Sequence, residues 1–305
     1  MLNRRSLIVG GAALALSTGI AGAQSWKAQY PELVFAVVPA ENASGVADRY
    51  QPWIEYLSKA LGVKITLRIA NDYAAVIEGQ KAGNIHIGYY GPASLSRAIK
   101  VTAGGVEPFV TTINQDGTVG YYSVAYVKAD SPYRRIEDLK GRNVGLVDPN
   151  STSGNNVPRF TLDKMQIDPE QYFSKVVYTG SHENAVIALV QGTVEVAFNW
   201  WNSDVDSNLT RMVNKGMVKK DDVRIIFKSE LIQGSPYAYL TSLPADLKTA
   251  IATAFVEGPQ KDKAAFDKLS DGKDLGFAQV VTADYKSTIE LIEFVDKLRK
   301  KKSGS

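Results

Sequence analysis

From Leu33 onward the chain sets out one short plan twice: an apolar β-branched run, an amphipathic segment, another apolar run. "LVFAVVP" (33–39) reads as a buried strand ending at Pro39. "ADRYQPWIEYLSKALG" (47–62) carries Trp53, Ile54, Leu57 and Leu61 at helical spacing, with Gly62 as its stop. "VKITLRIA" (63–70), "DYAAVIEGQKAG" (72–83) and "IHIGYYG" (85–91) predict strand, helix and strand. The second set begins near Tyr121. "YYSVAYV" (121–127) is a strand and "RIEDLKGRNVGLV" (135–147) a short helix turning into one. "KVVYTG" (175–180), "SHENAVIALVQG" (181–192) and "VEVAFNW" (194–200) repeat strand, helix, strand. "RIIFKS" (224–229) and "PYAYLTS" (236–242) read as strands, and the remainder as helical. Strands alternating with helices through short links make parallel βαβ units. With 305 residues the chain is too long for one core and suits two. The expectation is an α/β protein of two lobes, 31–120 plus 243–305 and 121–242, each a mixed sheet flanked by helices. Two crossover strands join them, and a ligand sits in the cleft, at strand C-termini and helix N-termini.

Several function classes fall away. A net charge of +3 without a basic stripe argues against nucleic-acid binding. The sequence has no cysteine, and His86 and His182 are its two histidines, so disulfides, thiolate sites and histidine-rich metal centres are not expected. Residues 1–23 read as a secretory signal peptide: Arg4 and Arg5, a short apolar stretch from Leu7 to Ile20, and an A-x-A site at Ala21-Gly22-Ala23. The Arg pair is similar to a twin-arginine signal, although Asn3 and the residues after the pair leave ordinary secretion open. The mature protein is therefore expected in a periplasm.

"DPNSTSGNNVP" (148–158) lies between a predicted strand and a predicted helix. Pro158 must fall within the first helical turn, which places Ser151, Thr152 and Ser153 where free N–H groups and the macrodipole favour an anion. Gly154 lets the backbone approach closely. A Ser/Thr N-cap in an ordinary polar turn has the same appearance.

Taken with "NDYAAVIEG" (71–79), "IGYYGPAS" (87–94) and "GSHENAV" (180–186), this string resembles the periplasmic phosphonate-binding proteins of ABC importers, from about Leu33 to the C-terminal helices. The resemblance implies the two-lobed periplasmic binding protein fold of type II. It implies an oxyanion held by Ser151, Thr152, Ser153, Tyr73, Tyr90 and His182, and a membrane permease as partner. Tyr90 ends the strand 85–90, where ligands sit; Tyr89 points the other way by period two and is expected in the core, and His86, inside an apolar strand, is structural. Relatives that take 2-aminoethylphosphonate are similar in using two carboxylates for the ammonium, and those positions fall here at Asn202 and Ser235, both neutral. Asn202 with Trp200 or Trp201 then walls a small pocket for methylphosphonate, another small alkylphosphonate or phosphite. An acidic loop shifted to bring Asp204 or Asp206 into the site is the alternative. A periplasmic phosphoester or phosphonate hydrolase is the rival class, but no metal cluster and no Asp to orient His182 is evident. No catalytic residue, cofactor or metal is expected.

Overall fold

The computed structural model describes residues 26–303, so the signal-peptide expectation lies outside it. The strands in chain order are β1 (Glu32–Val37), β2 (Lys64–Ile69), β3 (Ile87–Tyr89), β4 (Val106–Asn114), β5 (Gly120–Lys128), β6 (Asn143–Leu146) and β7 (Lys175–Tyr178). They continue with β8 (Val196–Ser203), β9 (Asp206–Ser207), β10 (Val223–Lys228), β11 (Ile232–Gln233), β12 (Pro236–Leu240) and β13 (Asp274–Gln279). The helices used below are α1 (Ala43–Leu61), α2 (Tyr73–Lys81), α3 (Pro92–Val101), α4 (Val157–Lys164), α5 (His182–Val190), α6 (Asn208–Asn214), α7 (Ala245–Lys261), α8 (Lys263–Ser270) and α9 (Lys286–Ser303).

Two mixed sheets result. The first runs β13-β4-β12-β3-β1-β2 and the second β10-β5-β8-β6-β7, with β11 on β5 and β9 on β8. In each, three strands are parallel: β2, β1 and β3 in one, β7, β6 and β8 in the other. The remaining strands join antiparallel. One expectation needs correction. β12 falls within 121–242, the span expected for the second lobe, but it lies between β3 and β4 of the first sheet. The return crossover therefore runs through 229–235.

The first core is built around Trp53, which is fully buried on α1 and meets Tyr56, Phe255, Phe266 and Phe277 with ring centroids 4.9–6.1 Å apart. α1 begins at Asn42, whose side chain accepts from the Gly45 N–H, and ends at Gly62 with φ of 67°. A second cluster, with Leu139, Leu146, Val196 and Phe198, fills the other lobe. α9 joins the two: Arg97 of α3 grips Asp296 at 2.6 and 2.9 Å, while Phe294 meets Phe160 of α4 at 5.6 Å.

Packing predicts a sensitive point in the first lobe. A Cβ on Gly258 of α7 would overlap the Trp53 ring, which is locked among four other aromatics. Gly258→Ala is expected to cost about 1–3 kcal/mol through overpacking, read as a lowered urea midpoint at unchanged m-value.

Candidate anion-binding site

Between the lobes lies a cavity of about 130 Å³, small beside the ~300–1,000 Å³ of pockets for drug-sized ligands. The hydroxyl run lines it from the second lobe. Thr152–Asn156 forms a π-helical turn that leads into α4, with Pro158 in the first helical turn. Ser151, Thr152 and Ser153 are buried and face the cavity.

Their hydrogen bonds direct their protons. Ser151 Oγ accepts the Gly154 N–H at 3.1 Å. Thr152 Oγ1 accepts the Ala93 N–H of α3, in the opposite lobe, at 2.9 Å. Each oxygen is held by one backbone donor and keeps its proton to give: the Thr152 hydroxyl can donate into the cavity, and the Ser151 hydroxyl either there or to the His182 imidazole. Gly91 permits this approach, since a Cβ there would lie 2.7 Å from Thr152 Oγ1. Gly154 has a different role from the one expected: its Cβ would collide with Val147, so the glycine serves packing against β6's end.

Tyr73, the first residue of α2, is buried and brings its phenol to Ser151. Its backbone N–H bonds to Asp148 across the cleft. Burial keeps the Tyr73 phenol protonated and available as a donor. His182 opens α5 behind the N-cap Ser181, with Nε2 3.4 Å from Ser151 Oγ. Its Nδ1 is buried without a partner. Burial pushes its pKa down to about 4, so the imidazole is neutral near pH 7.

Tyr90 departs from the expectation. It is fully buried, and its phenol donates to Gln80 Oε1 at 2.8 Å beneath α2, away from the cavity. Tyr89 lines the cavity instead. β3 ends at Tyr89, and Tyr90 lies where the chain turns toward α3, so alternation along the strand does not fix its side. His86 accepts the Val34 N–H at 2.9 Å and has a structural role.

Asn202 lines the cavity and donates to Asp206 Oδ2 at 2.5 Å. Trp200 lines it too, under the Arg211 guanidinium at 4.9 Å. Trp201 turns away to pack on Tyr122.

Sequence reasoning missed several lining residues: Tyr121, Arg49, Arg211, Glu41, Asp206 as a settled member, and Asp274. Tyr121, at the start of β5, contacts Thr152, Ser235 and Ser153, and burial raises its pKa to about 12. The signal was present in "GYY", directly after the first crossover. Asp206 and Asp274 come from opposite lobes. Burial, then the neighbouring Asp206 charge, raises the Asp274 pKa to about 7. Asp206 Oδ1 is buried without a hydrogen bond, and Arg211 lies 3.9 Å from it.

The family model described as "ABC transporter, phosphonate, periplasmic substrate-binding protein" matches residues 35–285. The chain is 30% identical over 261 residues to the phosphonates-binding periplasmic protein of Escherichia coli, covering 84% of this chain and 75% of that one. It is 28% identical over 273 residues to the phosphate-import protein PhnD of Mycolicibacterium smegmatis, covering 84% of each. A crystal structure of a binding protein component of an ABC phosphonate transporter from Pseudomonas aeruginosa superposes with a TM-score of 0.77 at 25% identity, covering 87% of this chain and 86% of that one. PhnD1 from Prochlorococcus marinus in complex with methylphosphonate shares the fold, with a TM-score of 0.73 at 17% identity over 88% and 99% of the two chains.

The neutral His182 gives a test of the site without ligand. Burial holds its folded pKa below the unfolded value of about 6.5. Its contribution to stability is therefore fully present above pH 6.5 and is lost as pH falls toward 4. Between those limits the wild type should lose on the order of 3 kcal/mol more than His182→Gln, measured by urea unfolding across pH.

Proposed function

Because this chain belongs to the periplasmic phosphonate-binding proteins of ABC transporters, we propose that its cleft holds a small phosphonate by neutral donors, and that its cation-binding end is built from carboxylates at new positions. The family has the two-lobed type II fold, and its members are the periplasmic solute-binding components of importers. The residues proposed for the oxyanion are Ser151, Thr152, Ser153, Tyr73 and Tyr121, with His182 donating from one ring nitrogen. The observation that carries this reading is the pair of buried hydroxyls of Ser151 and Thr152 that line the cavity with their oxygens already held by the Gly154 and Ala93 N–H groups. An anion between the lobes bonds to both halves and so favours closure, which presents a composite surface to a permease. The Arg4-Arg5 leader is the proposed export signal.

A hydrolase reading finds less support. The Ser151–His182 pair would need an acceptor on Nδ1 to orient the ring, and that atom has no partner among the described residues.

Two cargoes are compatible with the cavity. Its small volume, with Asn202 and Ser235 neutral, favours methylphosphonate or phosphite. Asp206 and Asp274 favour an aminoalkylphosphonate, because an ammonium between them would relieve their mutual repulsion and partner Asp206 Oδ1. Here the shifted acidic position is Asp206; Asp204 does not line the cavity.

Calorimetry separates these readings. Ser153→Ala and Tyr121→Phe should each weaken binding of any phosphonate about tenfold or more, each removing a charge-assisted bond of roughly 1.5–3 kcal/mol. Tyr90→Phe should leave affinity unchanged; an equal loss in all three would reject this placement of the tyrosines. If the cargo is aminated, Asp206→Asn should weaken 2-aminoethylphosphonate at least tenfold and methylphosphonate little. The affinity ratio of the two ligands should then rise with pH through about 7, where Asp274 ionises. A ratio independent of pH and of Asp206 would favour methylphosphonate or phosphite.

A further inference from the structure

Beside the cavity, eight charged side chains meet at one edge of the cleft. Two cations of the second lobe reach carboxylates of both lobes: Arg211, which meets Glu41, Asp206 and Asp271, and Lys215, which lies at equal distance from one carboxylate of each. Lys215 follows α6 in the second lobe. Its Nζ is 2.8 Å from Glu41 Oε2 of the first lobe and 2.8 Å from Glu183 Oε1 of its own. Both carboxylate side chains are 2% exposed. The second oxygen of Glu183 accepts the Asn42 N–H of the first lobe at 2.8 Å. One residue away, the His182 N–H bonds to the Ala40 carbonyl at 3.1 Å. Residues 40–42 and 182–183 are thus held together across the cleft, with the Lys215 ammonium closing the row. α1 leaves room for it at Gly45, where a Cβ would lie 2.8 Å from Nζ.

We propose that Lys215, held between Glu41 and Glu183, is a lobe-to-lobe latch that sets how long the closed protein retains its ligand. This rests on the reading that the cleft binds phosphonates. Lys215 and Glu183 do not line the cavity, so they act through closure and are positioning residues. The charge arrangement makes the latch reversible. When the lobes part, Glu41 keeps Arg49 and Lys215 keeps Glu183, each within one lobe. No buried charge is left alone, which would be the costly outcome. Opening removes the Lys215–Glu41 pair together with the Asn42 N–H bond to Glu183, the His182 N–H bond to Ala40 and the pairs that Arg211 makes with Glu41 and Asp271, while Arg211 keeps Asp206 in its own lobe. Lys215 is 31% exposed, so salt reaches this contact and weakens it. Losing it lowers the population of the closed state and with it the apparent affinity.

The test has two arms. In stopped-flow release of methylphosphonate or 2-aminoethylphosphonate, Lys215→Met should raise the off-rate about three- to tenfold with little change in on-rate. The wild type's release should quicken with salt more steeply than the variant's. Lys215→Arg should restore most of the wild-type rate, a rescue that lost side-chain packing alone would not give. The second arm needs no ligand. The sequence has no cysteine, so Lys59→Cys and Lys220→Cys, one on each lobe, give two unique label sites. Pulsed dipolar spectroscopy should show a longer mean interlobe distance in Lys215→Met than in the same protein with Lys215 intact. If the wild type binds no phosphonate, the ligand reading fails while the distance arm still decides the latch. An unchanged distance distribution, or an off-rate and salt slope equal to wild type, overturns the proposal.

Discussion

The hydrogen bond from the Ala93 amide to the Thr152 hydroxyl joins three levels of this protein. It caps the start of α3 in one lobe with a side chain from the other. It can form only when the cleft is shut, and only because residue 91 lacks a Cβ. It also holds the Thr152 oxygen at the cavity wall and leaves the hydroxyl proton to donate. The Gly154 amide does the same for Ser151 within its own lobe. In the proposed reading an oxyanion meets neutral hydroxyls whose oxygens are already held by backbone, so little reorganisation is needed on binding.

The far end of the cavity follows a different physics. Arg49 and Arg211 stack on Tyr50 and Trp200, and their charges answer Glu41, Asp206, Asp271 and Asp274. Burial would raise the Glu41 carboxyl, but Arg49, Arg211 and Lys215 hold it down to about 2. At Asp274 burial and the Asp206 charge outweigh the same two arginines, and its pKa is raised to about 7. In the proposed reading, selectivity among phosphonates belongs to a charge balance contributed by both lobes, and affinity for the phosphorus oxyanion to the hydroxyl turn.

Much of this was legible in the sequence. The doubled strand-helix pattern gave two mixed sheets, and Pro158 located the hydroxyls at a helix start. What failed did so for local reasons. β4 went unnoticed because Pro108 interrupts it; in the sheet the register slips between Tyr237 and Ala238, so that Phe109 is bulged and Pro108 is tolerated inside a central strand. β12 was misplaced because chain order does not report which sheet a crossover strand enters. The Tyr89 and Tyr90 assignments were reversed because β3 is three residues long and alternation has no reach beyond its end. Asp274 could not be found at all, since no local pattern ties it to Asp206; the fold alone makes them neighbours.

The last helix adds a mechanical consequence. α9 is bolted to α3 through Arg97 and Asp296, whereas it meets the second lobe through apolar side chains, Phe294 on Phe160 and Leu291 on the cluster of Tyr121, Val157 and Ile232. A guanidinium–carboxylate fork is directional, whereas two aromatic rings can slip over one another. The helix must then ride with the first lobe as a rigid spar, and opening becomes a sliding of one greased bearing rather than the breaking of a bolt.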